Sequence, residues 1–105
     1  MAHTTIDDLT NTVTIQPGAV VSKVVHREGG LDVTVFGIDA GEGLTEHTAV
    51  RAAVVQVLSG RLRFTVDGSK IDAGAGTWIH MDAGAPHALE AVEPTVMLLT
   101  LLPPS

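Results

Sequence analysis

The sequence predicts a small all-β domain, and three features support that prediction. Runs rich in β-branched residues recur along the chain, glycine-containing turns separate them roughly every 8 to 12 residues, and hardly any segment has helical periodicity. Strands and turns at this spacing are typical of a sandwich or a barrel. The 105 residues form one domain, since chains divide into domains only well beyond this length.

The runs and turns give an order of predicted strands. These strands cover residues 13–15, 19–26, 31–38, 48–58, 61–66, 69–71, 77–81, 87–91 and 95–102. Asp67 and Gly68 lie between two of the runs and predict a tight hairpin. We expect residues 1–11 to form an N-terminal arm, residues 12–102 the barrel domain and residues 103–105 a C-terminal tail.

The composition excludes several kinds of chemistry. The chain has no cysteine, so it forms no disulfide, no thiolate zinc site and no cysteine nucleophile. Any metal site is therefore expected to use histidine, carboxylate, amide or water. The net charge is -6, and a surface of that charge repels a phosphate backbone, so we expect no nucleic-acid partner.

No part of the sequence resembles a membrane segment. A membrane-spanning helix needs roughly 18 or more apolar residues in a row, and no run approaches that length. The first residues also lack a basic stretch followed by an apolar one. We expect no membrane association and a cytoplasmic location.

Two predicted strand segments, residues 53–58 and 96–102, are apolar on both faces. A small barrel covers only the inner face of its strands, so the outer face of these segments needs another cover. We predict a homodimer whose interface includes that outer face, with Gln56 as a polar group in the contact. The alternative is that the N-terminal strands of the same chain provide the cover.

Two segments of the chain space their glycines and histidines in a recognisable order. Residues 41–60 read GEGLTEHTAVRAAVVQVLSG and resemble the first motif of the cupin family, G-x5-H-x-H-x3-4-E-x6-G. Residues 76–91 read GTWIHMDAGAPHALEA and resemble the second motif, G-x5-P-x-G-x2-H-x3-N. The matching residues are Gly41, His47, Gly60, Gly76, Gly84 and His87. The chain is similar over residues 30–102 to a small single-domain cupin of the RmlC-like superfamily, which implies a jelly-roll β-barrel.

The first motif departs from the family pattern at two metal-ligand positions. Ala49 stands at the second histidine position and Ala53 at the glutamate position. The family's nitrogen and oxygen donors suit manganese, iron, nickel, copper or zinc. The resemblance therefore implies, at most, one divalent transition metal on His47 and His87, completed by water or a recruited ligand.

His80 is the candidate third metal ligand. On a strand, neighbouring side chains point to opposite faces, so His80 shares a face with Trp78, and Ile79 shares the other with Met81. The apolar pair is expected to fill the barrel. The alternation thus favours an outward position for His80, away from the other two histidines.

The two alanines also predict a pocket at the barrel mouth. Methyl groups in place of an imidazole and a carboxylate widen the mouth and make its wall apolar. The residues expected to line this pocket are Ala49, Ala53, Val55, Val57, Leu89 and Met97. Such a cavity is the usual form of a small-molecule site, so we expect a small, partly hydrophobic ligand.

The sequence leaves the function between several classes. The first hypothesis is a binding protein with a small-molecule pocket inside the barrel, lined by His47 and His87. The alternative is a metal-dependent cupin enzyme of the dioxygenase or isomerase type that uses the same histidines. A metal-free acid–base enzyme and a purely partner-binding barrel are also compatible with the residues. The ligand, and whether there is catalysis, stay open at this point.

Overall fold

A computed structural model describes residues 2–104, and within that range it contains seven β-strands and no helix. The strands are β1 (Val20–Glu28), β2 (Leu31–Ile38), β3 (Gly43–His47), β4 (Ala53–Val66), β5 (Ser69–Gly74), β6 (Trp78–Met81) and β7 (His87–Leu101). The all-β prediction is confirmed. In the described range, no helix is long and apolar enough to cross a membrane. Met1 of the predicted arm and Ser105 of the predicted tail lie outside the described residues.

The two longest strands, β4 and β7, pair antiparallel and form the centre of the fold. Each belongs to two layers. In the first layer, the N-terminal half of β4 and the C-terminal half of β7 lie between β6 and β2, and β1 forms the edge. In the second layer, the other halves lie between β5 and β3. The result is the two-layered jelly-roll barrel implied by the motifs.

A bulge in the β4–β7 pair marks the change from one layer to the other. The register shifts repeatedly between Val57 and Leu62. Before the shift, buried side chains of β4 stand at odd positions such as 55 and 57, and after it they stand at the even positions 62 and 64. An extra residue in one strand reverses the alternation in this way, so both halves of β4 face the same interior.

Gly60 makes the bulge possible. Its φ is +90°, and a Cβ atom there would lie 2.4 Å from both the Pro94 carbonyl oxygen and Thr95 Oγ1. The Thr95 hydroxyl is buried, accepts a hydrogen bond from the Arg61 backbone N–H at 3.0 Å and donates to the Glu93 carbonyl at 2.8 Å. The strand breaks predicted at residues 59–60 and after residue 91 are both wrong. β4 and β7 continue through them because the glycine forms a bulge within a strand.

Other predicted strand positions also need correction. Residues 13–15 are not in a strand, and residues 48–52, predicted as the start of a strand, form a loop. That loop is held from two sides, since Leu102 N–H donates to the Ala52 carbonyl at 2.9 Å and Gly84 N–H to the Ala49 carbonyl at 2.7 Å. The strand of this region is β3, which begins at Gly43 and was not among the predicted strands. The 67–68 hairpin is confirmed: Asp67 and Gly68 have φ of +51° and +78° between paired residues Val66 and Ser69.

The interior between the layers is filled by one cluster of buried apolar side chains. Its members are Ile38, Ala53, Val55, Val57, Leu62, Phe64, Ala73, Ile79, Met81, Leu89, Ala91 and Met97. Ile79 and Met81 point inward as the alternation predicts, whereas Trp78 on the opposite face of β6 is 59% exposed. Strand alternation is thus a sound guide wherever the pairing is regular.

The N-terminal segment covers part of the outer face of the first layer. Val96 and Leu98 point away from the interior yet are only 5% and 8% exposed. The residues packed on this outer cluster include Leu9, Val13 and Ile15 of the N-terminal segment. The alternative to a dimer, cover by the chain itself, therefore holds for this part of β7, although the covering residues are irregular and not strands.

Replacing Gly60 by alanine tests the bulge. Gly60→Ala is expected to lower the free energy of unfolding by about 2–5 kcal/mol, because backbone strain at positive φ costs about 1–2 and overpacking about 1–3 kcal/mol. Gly18→Ala is the matched control, since its φ is +67° but nothing lies within 4 Å of the added Cβ. That variant should show the backbone term alone. Urea unfolding followed by circular dichroism measures both, and equal losses would contradict the role given to Gly60.

Candidate functional site

The strand pairing brings His47 and His87 together. His47 ends β3, His87 begins β7, and the two residues are direct register partners. Their ring centroids lie 4.2 Å apart with an interplanar angle of 63°. His87 is 9% exposed, whereas His47 lies nearer the surface. The pair predicted from the two motifs is therefore a contact pair in the fold.

A hydrogen bond orients each imidazole of the pair. His47 Nδ1 lies 2.8 Å from the Thr45 carbonyl oxygen, and His87 Nδ1 lies 2.9 Å from the Ala85 carbonyl oxygen. A carbonyl oxygen only accepts, so each Nδ1 carries the hydrogen and donates it. In the neutral ring the other nitrogen, Nε2, then holds a free lone pair. Two neighbouring imidazoles, each with one ring nitrogen not bonded to a carbonyl, are the main polar feature of the site.

An outer cavity of about 220 Å³ adjoins the two imidazoles. The residues that line it are His47, Ala49, Arg51, Ala53, Met81, Asp82, Ala85, His87, Leu99 and Leu101. Most of these side chains are apolar, and the loop residues 49, 51, 82 and 85 form its rim. The site is a mainly apolar cavity in which few polar groups are placed, as expected for binding a small molecule.

An inner cavity of about 40 Å³ lies deeper in the barrel against the same histidines. Its lining residues are Phe36, Leu44, His47, Val55, Phe64, Met81, His87, Leu89, Met97 and Leu99. The Phe64 ring lies parallel to that of His87, with an interplanar angle of 4° and centroids 6.4 Å apart. The histidine pair is thus in contact with both a small apolar cavity and a larger one.

The predicted pocket residues divide between these two cavities. Ala49 and Ala53 line the outer cavity, and Val55, Leu89 and Met97 line the inner one. Val57 lines neither of the two cavities. It lies next to the bulge, is 2% exposed and belongs to the packed interior.

The structure does not bring His80 to the histidine pair. Its side chain is 42% exposed on the outer face of β6, where its ring lies 6.4 Å from that of Trp78. Among residues 2–104, no three His, Cys, Asp or Glu side chains are grouped so as to hold a metal. A metal on the histidine pair would therefore need its third ligand from another residue or from water. Methionine was not among the donors expected from the sequence, and Met81 lines both cavities.

Arg51 is a cavity residue that the sequence analysis missed. Its guanidinium group pairs with Asp32 at 2.8 Å and donates to the backbone carbonyls of Gly30, Leu101 and Leu102. An arginine within the apolar stretch at residues 49–58 was the only available signal. Because these partners already engage the guanidinium group, Arg51 ties the rim loop to the barrel and is not a free cation in the cavity.

The ion pair shifts the titration of Asp32. The hydrogen bond from Arg51 holds the pKa of the Asp32 carboxyl below its ordinary value of 3.8, against the opposing effect of desolvation. Arg27, at 2.9 Å, lowers this pKa further through its own hydrogen bond and charge. The carboxylate thus connects β2 to the rim loop.

A larger, shallow depression of about 540 Å³ lies elsewhere, on the outside of the second layer. Its cations include Arg61 and Arg63, which pair with Asp72 at 2.7 Å and Glu90 at 2.9 Å. Lys70 is also in its wall. Since both arginines are neutralised, this surface offers no concentrated charge, and the smaller cavity at the histidines is the candidate site.

The fold and the site define a class of protein: a small jelly-roll barrel with imidazoles inside its mouth. The family model described as the cupin domain matches residues 34–102. The chain therefore belongs to the cupin family, as the motifs indicated.

Solved structures with the same fold include proteins of similar size. A conserved protein of unknown function from Streptococcus pyogenes is 35% identical over 100% of this chain and 92% of that one, with a TM-score of 0.87. A cupin 2 conserved barrel domain protein from Leptotrichia buccalis is 34% identical, covering 88% of this chain and 45% of that one, with a TM-score of 0.82. An RmlC-like cupin from Desulfovibrio desulfuricans is 26% identical over 98% and 100%, with a TM-score of 0.85. A comparison with curated proteins gives no match.

The lowered pKa of Asp32 predicts a pH-dependent stability. A carboxyl whose pKa is lower in the folded state stabilises the protein above its unfolded pKa, and that stabilisation is lost as the pH falls through the folded value. Asp32→Asn should therefore lower the free energy of unfolding at neutral pH, and the difference from the unsubstituted protein should shrink as the pH falls below 3.8. Urea unfolding at a series of pH values measures this.

The exposed Arg61–Asp72 pair provides the control for that measurement. Its side chains are 45% and 74% exposed, so Asp72→Asn should change the stability little. A loss for Asp32→Asn that stays constant down to the acid limit would contradict the role of the ion pair.

Proposed function

We propose that this cupin binds a small, largely apolar molecule that carries a hydrogen-bond donor. The observation that supports this proposal is the 220 Å³ cavity with apolar walls and the paired imidazoles of His47 and His87. Each Nδ1 donates a hydrogen bond to a backbone carbonyl. In the neutral ring, Nε2 is therefore the nitrogen that can accept a hydrogen bond from a ligand. A hydroxyl or amino group satisfies these acceptors, and the apolar wall favours a hydrocarbon body.

The size and charge of the cavity narrow the ligand class. At about 30 Å³ per water molecule, 220 Å³ is the volume of about seven waters, below the range usual for drug-sized ligands. Ala49 and Ala53 contribute only methyl groups to the wall. Arg51 is held by Asp32 and by backbone carbonyls. A small neutral molecule therefore suits the cavity better than a strongly charged one.

The second candidate function is a metal-dependent enzyme of the dioxygenase or isomerase type. The specific observation in its favour is that a carbonyl fixes each Nδ1, an arrangement that also orients histidine ligands of metals. His47 and His87 would hold the metal as two of the usual three or four protein ligands, with water or another residue completing the set. When bound, the metal would act as a Lewis acid on a substrate oxygen or water.

One set of variants tests both candidates. His47→Gln and His87→Gln should abolish the thermal stabilisation that a screen of small hydroxylated or amino compounds is expected to reveal, because only the native site binds them. His80→Gln is the matched control, since that ring lies outside the barrel. Elemental analysis of protein purified without a metal-affinity column tests the second candidate in the same variants.

The outcomes separate the two functions. Stabilisation by organic compounds without bound metal supports the binding protein. Bound metal that is lost in His47→Gln and His87→Gln but kept in His80→Gln supports the metal site. If the native protein binds neither organic compounds nor metal, both proposed functions are overturned.

We also propose a homodimer through the outer face of β6 and the adjacent part of β4. Trp78 is 59% exposed on this face, and Val54 and Gln56 beside it are half-buried. A large exposed aromatic side chain next to apolar surface is typical of an interface. The N-terminal segment covers the neighbouring part of the layer, so the proposed interface is smaller than the sequence alone predicts. A cytoplasmic location stays a prediction.

Sedimentation velocity tests the dimer. The native chain is expected to sediment as a dimer, and Trp78→Glu should shift it toward the monomer because a charge would be buried in the contact. Val50→Glu is the control, since Val50 is 93% exposed and lies in the rim loop, not on a strand. A native protein that sediments as a monomer at every concentration would refute the proposal.

A further inference from the structure

We propose that the metal suited to this barrel is Cu(I), held by His47, His87 and the thioether sulfur of Met81. This inference rests on the metal site named as the second candidate function. It adds the third ligand and the class of ion, which neither the motifs nor the family match assigns.

Few side chains in the walls of the two cavities can act as metal ligands. Apart from the imidazoles and the occupied Arg51, the side chains with lone pairs are Asp82, Met81 and Met97. Asp82 stands at the rim with a side chain 92% exposed. Among the described residues, no group of three His, Cys, Asp or Glu side chains can hold an ion. Within the cavity walls, sulfur is therefore the remaining donor.

The two methionines differ in the cavities that they line. Met81 lines both the outer and the inner cavity together with both histidines, whereas Met97 lines only the inner one. Met81 is also the register partner of Ala53, the alanine at the family's glutamate position. Side chains paired across antiparallel strands share a face and lie close together. The long side chain of Met81 thus projects into the region that a carboxylate at position 53 would otherwise occupy.

The proposed ligands carry no negative charge. Two imidazoles and a thioether bring none to the site, most of the surrounding wall is apolar, and the Asp82 carboxylate at the rim is 92% exposed. A divalent ion in such a place keeps its full charge in a medium of low dielectric, which is costly without a carboxylate. Cu(I) carries a single charge, and thioether sulfur is among the ligands that select it. The loss of the carboxylate and the inward methionine therefore favour the same ion.

The Met81 side chain is already held in place by packing. It is 4% exposed and belongs to the interior cluster, so little conformational freedom is lost when it binds an ion. The carbonyl of Thr45 fixes the His47 ring and that of Ala85 fixes the His87 ring before any ion enters. All three donors are thus held in place by the fold.

Metal titration of the purified, metal-free protein tests the proposal. Cu(I) is supplied without oxygen, with ascorbate as reductant and a competing Cu(I) chelator, and Zn²⁺ and Mn²⁺ are titrated separately. Met81→Leu should weaken Cu(I) binding by at least about 10- to 100-fold, because the loss of even an outer-shell partner of a metal site typically costs that much. It should leave Zn²⁺ binding nearly unchanged, because Zn²⁺ would rely on the two imidazoles. X-ray absorption of the Cu(I) form should show a copper–sulfur contribution that disappears in Met81→Leu.

Met97→Leu is the matched control, since it changes the other buried methionine without touching the outer cavity. Both substitutions conserve volume and are expected to cost less than about 1.5 kcal/mol, which thermal unfolding of each variant verifies. Tight Cu(I) binding that is weakened in Met81→Leu, lost in His87→Gln and kept in Met97→Leu supports the proposal.

Two other results would overturn it in distinguishable ways. Zn²⁺ or Mn²⁺ bound through the histidines, with Cu(I) binding unaffected by Met81→Leu, would refute the copper site and leave the metal-dependent function standing. Failure of every ion to bind the native protein would refute both.

Discussion

The antiparallel pairing of β4 with β7 is the interaction on which the rest of this barrel depends. These strands are long enough to serve both layers, and each must turn its buried side chains toward one interior along its whole length. The inward positions of β7 stay odd on both sides of the bend, as at Leu89 and Met97, whereas those of β4 change from odd to even. The bulge at Gly60, closed by the buried hydroxyl of Thr95, lets β4 make this change of parity. Both halves of β4 thereby contribute to one interior cluster.

The same pairing determines where chemistry can occur. The first residue of β7 is His87, and the last residue of β3 lies opposite it, so the two imidazoles meet at the end of the second layer. Two carbonyls from the flanking backbone then fix the ring nitrogens. The rim loop at residues 48–52 is tied to the barrel by Arg51 and Asp32. The backbone architecture thus pre-organises the polar atoms of the site, and the side chains at positions 49 and 53 decide how much space remains beside them.

Sequence reasoning succeeded where a local pattern has one structural meaning. The inward direction of Ile79 and Met81 follows from alternation, and the hairpin at Asp67 follows from positive φ at two adjacent residues. It failed where one pattern has two meanings. A glycine with positive φ serves a turn and a bulge equally well, and only the partner strand shows which is formed at Gly60.

Sequence reasoning also failed for residues whose positions depend on contacts with residues far along the chain. Val13 belongs to an apolar run that a strand and an irregular covering segment use equally well, and its neighbours in space are Val35 and Leu98. Arg51 is placed by Asp32 and by carbonyls far along the sequence, which no local pattern contains. For the site, the histidine pair was accessible from motif spacing, whereas Met81 was not, because its importance comes from the strand opposite Ala53.

The two proposed functions are compatible because both cavities are lined by the histidine pair. The inner cavity, at 40 Å³, is little larger than one water molecule, whereas the outer cavity has room for an organic molecule. An ion on the Nε2 atoms would therefore keep an accessible side toward the rim. The family's carboxylate would have supplied charge at that point, and Ala53 supplies volume. In exchanging charge for volume, the chain makes the site less suited to a hard divalent ion and more suited to a soft monovalent ion or a neutral apolar molecule.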